Sequence, residues 1–170
     1  MAAVHSEANQ AQAHVEDMPD IDMWDPSVPA AVVQAWLSSL APPRPEQMAQ
    51  WAEETDYSDK YCDEVFEYRR VTVPVPMVRI FPLGRCMTEE EWRSFGITMS
   101  RGWEHYDNHL PERHVLLFRR VLGTDPKTGL APPDMAEKAA LRLRYIAELE
   151  HQRQLLLREK SARQEDADMF

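Results

Sequence analysis

Apolar residues recur every second position along residues 65–73, and every third or fourth along 27–54 and from residue 134 onward. The first period is that of a strand with one face covered, the second that of an amphipathic helix. In the segment from Val65 to Val73, Phe66, Tyr68, Arg70 and Thr72 fall on one side. Glu67, Arg69, Val71 and Val73 fall on the other, so Arg69 shares a face with aliphatic residues. From His114 to Arg120 the run Val-Leu-Leu-Phe is apolar on both sides, as in a central strand, and Leu116, Phe118 and Arg120 share one face. A further strand is expected from Trp103 to about Asn108, and a first one at Tyr57 to Tyr61, ahead of the acidic turn Asp63-Glu64.

Between these strands, Pro74 and Pro76 favour a short helix or turn through Met77 to Ile80. Thr88 and Glu91 form a T-x-x-E helix start before Trp92 and Phe95, which would cover one side of the sheet, and Gly96 stops that helix. The order β-β-α-α-β-β predicts an α+β domain: a four-stranded antiparallel sheet with two short helices to one side.

The flanks read differently. Residues 1–26 are small, polar and acidic, too poor in apolar surface to offset the entropy of ordering, with Met23-Trp24 as an isolated apolar pair. Residues 27–54 form a helical N-terminal extension: Val32, Val33, Trp36, Leu37 and Leu40 lie on one helix face, and a second helix from Pro45 to Glu54 turns Met48, Trp51 and Ala52 inward. After the domain at 55–123 comes a linker at 124–133. Asp134 and Glu137 then cap a helix over 134–163 with an imperfect apolar stripe of Ala139, Leu143, Ile146, Leu149 and Leu156; residues 164–170 read as a frayed tail.

A net charge of −10 argues against general nucleic-acid binding, which needs a net basic face, and no apolar run is long enough for a signal peptide or membrane span. Cys62 and Cys86 fit a reduced, intracellular protein, and no cofactor is indicated. His105, His109 and His114 lack the cysteines or carboxylates that would complete a metal site. No nucleophile stands beside a base, so the chain does not read as an enzyme.

The informative chemistry is local. Lys60, Arg69 and Arg70 at one end of the core, and Ser100, Trp103, Arg119 and Arg120 at the other, supply a set composed almost wholly of hydrogen-bond donors. Two arginines brought together on neighbouring strands are costly unless an anion joins them, and a phosphate monoester offers three oxygens to forked donors. A phosphorylated metabolite and a phosphorylated peptide both fit.

The same residues carry a resemblance. YSDKY from Tyr57, FEYR from Phe66, EWR from Glu91, S-x-G-W from Ser100, HY at His105-Tyr106, and H-x-P-E-x-H followed by LLFRR resemble the Cks proteins, regulatory subunits of cyclin-dependent kinases, across residues 57–122. The resemblance implies the Cks fold, no catalysis, and a pocket for phosphoserine or phosphothreonine built by residues matching Lys60, Arg69, Ser100, Trp103 and Arg120. It implies a kinase-binding side at Tyr61, Tyr106, Asp107, Asn108, His109 and Glu112. The implied role is in cell-cycle control, in nucleus and cytoplasm, where tethering a cyclin-dependent kinase and its cyclin to phosphorylated protein substrates favours multisite phosphorylation. A phosphopeptide adaptor for an SCF ubiquitin ligase, with weak or no kinase binding, is the alternative.

The chain departs from the family in three places. The hinge H-x-P-E-P-H keeps Pro111 but carries Arg113 for its second proline, which bears on the balance between a monomer and a strand-swapped homodimer. Asp107-Asn108 stand where the family carries apolar residues that meet the kinase, although Glu112 is retained. The third departure is the pair of extensions.

Overall fold

The computed structural model describes residues 41–82, 84–109 and 112–167, with Ala31, Val32 and Ala35. The expected acidic tail, Val33, Trp36, Leu37 and Leu40 of the first helix, and Pro111 of the hinge lie outside the described residues. In chain order the elements are α1 (Pro45–Glu54), β1 (Asp56–Tyr57), β2 (Tyr61–Cys62), β3 (Phe66–Thr72), a 3-10 turn (Val75–Ile80), α2 (Glu89–Ser94), β4 (Glu104–Asn108), β5 (Val115–Val121) and α3 (Pro133–Ala167).

All strand pairs are antiparallel. β3 lies against β5, β5 against β4, and both β1 and β2 pair with the outer edge of β3. β1 and β2 are therefore two pieces of one edge strand, and the sheet has four strand positions. The break has a cause in register: Tyr57 pairs with Val71 and Tyr61 with Tyr68, so the edge carries one residue more than β3 over this span, a bulge at Asp59-Lys60. Ser58 holds its near side, its N–H donating to Arg70 O and its Oγ accepting from Arg70 N, both at 3.0 Å.

The alternation in β3 and β5 sorts their side chains as the strand period requires. Val71, Leu116 and Phe118 are completely or almost completely buried on one face, beneath Trp92 of α2, whose indole meets Phe118 edge-on at 5.5 Å. α2 starts where Thr88 and Glu91 cap each other, the Thr88 Oγ1 accepting from Glu91 N and the Glu91 carboxylate from Thr88 N. It ends at Ser94, and Gly96 follows its cap, where a φ of +91° and a place 2.8 Å (from an added Cβ) from the Ala52 Cβ leave no room for a side chain. That contact locks α1 onto the domain, with Trp51 buried under the Arg79 guanidinium.

α3 is longer than the 134–163 expected, continuing into the segment read as frayed and ending at Ala167. Among the described residues its contacts with the domain are at its start. Ala139 is buried, and Arg142 lies over Phe66 and binds Asp63 Oδ2 at 3.0 Å. Beyond Leu143 the stripe of Ile146, Leu149 and Leu156 is exposed, as are Leu155 and Leu157.

Candidate phosphate and partner sites

The core-facing side of the sheet ends in polar residues. Register sets Arg120 directly opposite Glu67 and Arg69 opposite Phe118, so the two arginines are diagonal neighbours on one face. Arg120 is buried, and three of its five N–H groups have partners. Its Nε donates to Glu67 Oε2 at 2.8 Å, Nη2 donates to the same oxygen, and Nη1 donates to Ser100 Oγ at 2.9 Å. The Trp103 ring lies under the guanidinium at 4.8 Å, and its indole N–H donates to the same Ser100 Oγ at 3.3 Å.

Arg120, Ser100 and Trp103 thus converge, while Arg69 and Lys60 form a second group beside them. Arg69 Nε donates to Ser58 O at 2.9 Å and its guanidinium sits over the Tyr57 ring at 5.2 Å. Lys60, in the edge-strand bulge two residues beyond that carbonyl, is exposed. The turn that delivers Ser100 and Trp103 depends on Gly102: at φ +90°, an added Cβ would lie 2.7 Å from Thr124 Cγ2 and 3.4 Å from Arg120 Cδ.

Two readings from the sequence need correction. The set is not donors alone, because Glu67 supplies a carboxylate that neutralises Arg120 without any ligand. Strand alternation had put Glu67 on this face, but its pairing with Arg120 depends on a register between strands some 50 residues apart, which no local pattern encodes. Arg119 does not join the pocket either. It faces the other side, paired with Glu104 at 3.0 Å and lying over Phe66 and Tyr106.

That other side is aromatic. Tyr61 stacks on Tyr68 at 5.4 Å and Tyr106 meets Tyr68 edge-on at 6.0 Å, so Tyr68 is the centre of the cluster although only its neighbours were singled out from sequence. The Tyr68 hydroxyl donates to Asp63 Oδ2 at 2.8 Å; burial first, and this bond second, push its pKa up to about 12. Burial alone would raise the Asp63 carboxyl, but the N–H groups of Phe66 and Val65, the Tyr68 hydroxyl and Arg142 outweigh it and hold the carboxyl below its usual range.

A bulge in β4 separates the remaining candidates. His105 pairs with Phe118 and Asp107 with Leu117, leaving Tyr106 as the extra residue. Asp107 is exposed, whereas Asn108 turns its Oδ1 inward to His105 Nε2 at 3.2 Å. His105 Nδ1 accepts from Met87 N at 2.9 Å, so both ring nitrogens are used and Nε2 carries the proton. His109 and Glu112 face each other across the hinge loop at 3.7 Å, both exposed, and His109 N donates to Val115 O. Arg113 is half-buried and lines a cavity of about 180 Å³ with Asp107, Asn108 and Cys86.

Both cysteines are free. Among the described residues no helix is long and apolar enough to cross a membrane, and no group of His, Cys, Asp or Glu is arranged to hold a metal.

The family model "Cyclin-dependent kinase regulatory subunit" matches residues 55–122. A Drosophila melanogaster protein named cyclin-dependent kinases regulatory subunit is 57% identical over 72 residues, 42% of this chain and 90% of that protein. One of the same name from Caenorhabditis elegans is 56% identical over 73 residues, covering 43% and 78%. Cyclin-dependent kinases regulatory subunit 2 of Arabidopsis thaliana is 52% identical over 66 residues, covering 39% and 80%. The matched segment takes in the whole sheet, both short helical elements within it, and every residue of the Arg120 and Tyr68 clusters, and on this ground the chain belongs to the Cks family of cyclin-dependent kinase regulatory subunits.

Proposed function

We propose that this chain is a non-catalytic adaptor that binds a cyclin-dependent kinase on one side of its sheet and reads phosphoserine or phosphothreonine on the other. The observation that carries the phosphate reading is the convergence of Arg120, Ser100 and Trp103. A guanidinium has five N–H groups, and Glu67 and Ser100 take three of those on Arg120, leaving one on each terminal nitrogen. The Ser100 hydroxyl accepts twice and keeps its own proton to donate. A phosphoryl group at that end of the guanidinium would take those donors, with Arg69 and Lys60 closing on its remaining oxygens.

Kinase binding would use Tyr61, Tyr106, Asp107, His109 and Glu112, with Asn108 supporting the bulge through His105 rather than reaching outward. Two sites on opposite faces let one small domain hold the kinase and an already phosphorylated substrate together. Tethering raises the local concentration of the substrate's further sites, which favours multisite phosphorylation in the nucleus and cytoplasm.

The test separates the faces. Arg120→Ala should abolish capture of phosphothreonine peptides and spare co-purification of the kinase. Glu112→Ala should do the reverse, each lost charge-assisted contact costing about 1.5–3 kcal/mol. Equal loss of both partners in either variant would refute two separate sites.

A further inference from the structure

The loop after β5 lies beyond the segment matched to the family, yet it is built against the phosphate cluster. Asp125 organises it: Oδ1 accepts from Lys127 N at 2.7 Å and Thr128 N at 3.0 Å, and its carbonyl accepts from Gly129 N at 2.8 Å. The folded loop then docks on the turn that carries Ser100, with Arg101 N donating to Pro126 O at 3.1 Å. Gly129 sits so close that an added Cβ would be 3.1 Å from Arg101 Cβ.

Between this loop and α2 runs an open groove of about 780 Å³ whose lining includes Ser100, the hydroxyl shared by Arg120 and Trp103. Its charges are unevenly committed. Arg93 is bound to Glu89 at 2.8 Å and to the carbonyls of Met99 and Ser100, so that pair serves the turn. Of the charges left, Glu90 is on the α2 side, whereas Arg101 and Lys127 are on the loop side and exposed. Neither cation has an ion-pair partner among the described residues. In a chain of net charge −10, Arg101 and Lys127 place two exposed cations in the groove that Ser100 lines.

We propose that this groove is a subsite for the residues flanking the phosphate, in which Arg101 and Lys127 select an acidic side chain. The inference rests on the phosphopeptide reading and adds to it a specificity supplied jointly by Arg101, on the turn that carries Ser100, and by Lys127, which lies outside the family's own segment. The cations are exposed, so the preference is modest and screened by salt: about three- to fivefold at low ionic strength, the equivalent of up to about 1 kcal/mol.

The experiment titrates the full chain with three sets of phosphothreonine peptides, whose flanking residues are neutral, acidic or basic, alongside the Arg101→Gln/Lys127→Gln double variant. Tighter binding of acidic peptides by the parent chain, abolished in the double variant while the neutral peptides still bind both proteins equally, is the expected result. Equal affinity for all three sets, a preference for the basic set, or an acidic preference that survives in the double variant would overturn the subsite. Failure of the parent chain to bind any of them would instead refute the phosphopeptide reading on which it stands.

Discussion

The ion pair between Glu67 and Arg120 makes the most informative perturbation, because it ties the fold to the proposed anion site. Arg120 is 6% exposed and Glu67 20%, so the pair is largely out of water. Glu67→Gln keeps a carbonyl oxygen for the guanidinium but removes its counter-charge. Removing one member of a fully buried pair costs about 3–5 kcal/mol. With Glu67 partly hydrated and an amide still in place, the cost expected is about 1–3 kcal/mol, visible as a lower urea midpoint at unchanged m-value.

The same change should favour an anion. Glu67 and a phosphate on the far side of the guanidinium would be roughly 6 Å apart, a repulsion of about 0.7–2.8 kcal/mol per unit charge for an effective dielectric between 80 and 20. Glu67→Gln should therefore bind a phosphothreonine peptide about tenfold more tightly by calorimetry, and saturating peptide should restore much of the lost stability through mass action. Unchanged stability together with unchanged affinity would refute the idea that Glu67 is the resident counter-ion of Arg120.

Other consequences are more local. Burial holds the His105 pKa below its ordinary value, so the unfolded chain takes up this proton first; stability is full above about pH 6.5 and falls as pH drops from there toward the folded-state value. The slope is at most about 1.4 kcal/mol per pH unit, and His105→Gln should flatten that part of a stability-versus-pH curve, whereas an unaltered curve would assign it elsewhere. Trp92→Ala, at a position with no exposure, should cost about 3–5 kcal/mol in denaturant unfolding. Gly96→Ala should cost about 1–3 kcal/mol through its φ of +91° and its contact with Ala52, and differential exchange should show α1 loosened before the sheet.

How far the sequence reached depended on how local each feature is. The Thr88–Glu91 cap, the prolines around the 3-10 turn, Trp51 as the buried residue of Pro45–Glu54, and the alternation in β3 and β5 rest on neighbours within a few residues, and all were legible. What escaped depends on register between distant strands. The interrupted edge strand, the bulge that leaves Tyr106 over, and the pairing of Glu67 with Arg120 follow from counting residues across a ladder, which one strand's pattern does not contain. Arg119 and Arg120 are adjacent and chemically identical in sequence, and only the pleat sends one to the tyrosines and the other to Trp103. The linker at 124–133 looked like connection because Asp125 gathers its backbone N–H groups in a way that leaves no apolar signature.

The claim on which the rest depends is that Arg120, Ser100 and Trp103 receive a phosphoryl group. It is tested most directly by titrating the isotope-labelled full chain with a phosphothreonine peptide and following the Trp103 indole N–H resonance. A saturable shift at that proton, absent with the unphosphorylated peptide and lost in Arg120→Ala, is expected. No shift at the indole, or the same shift with the unphosphorylated peptide, would contradict it.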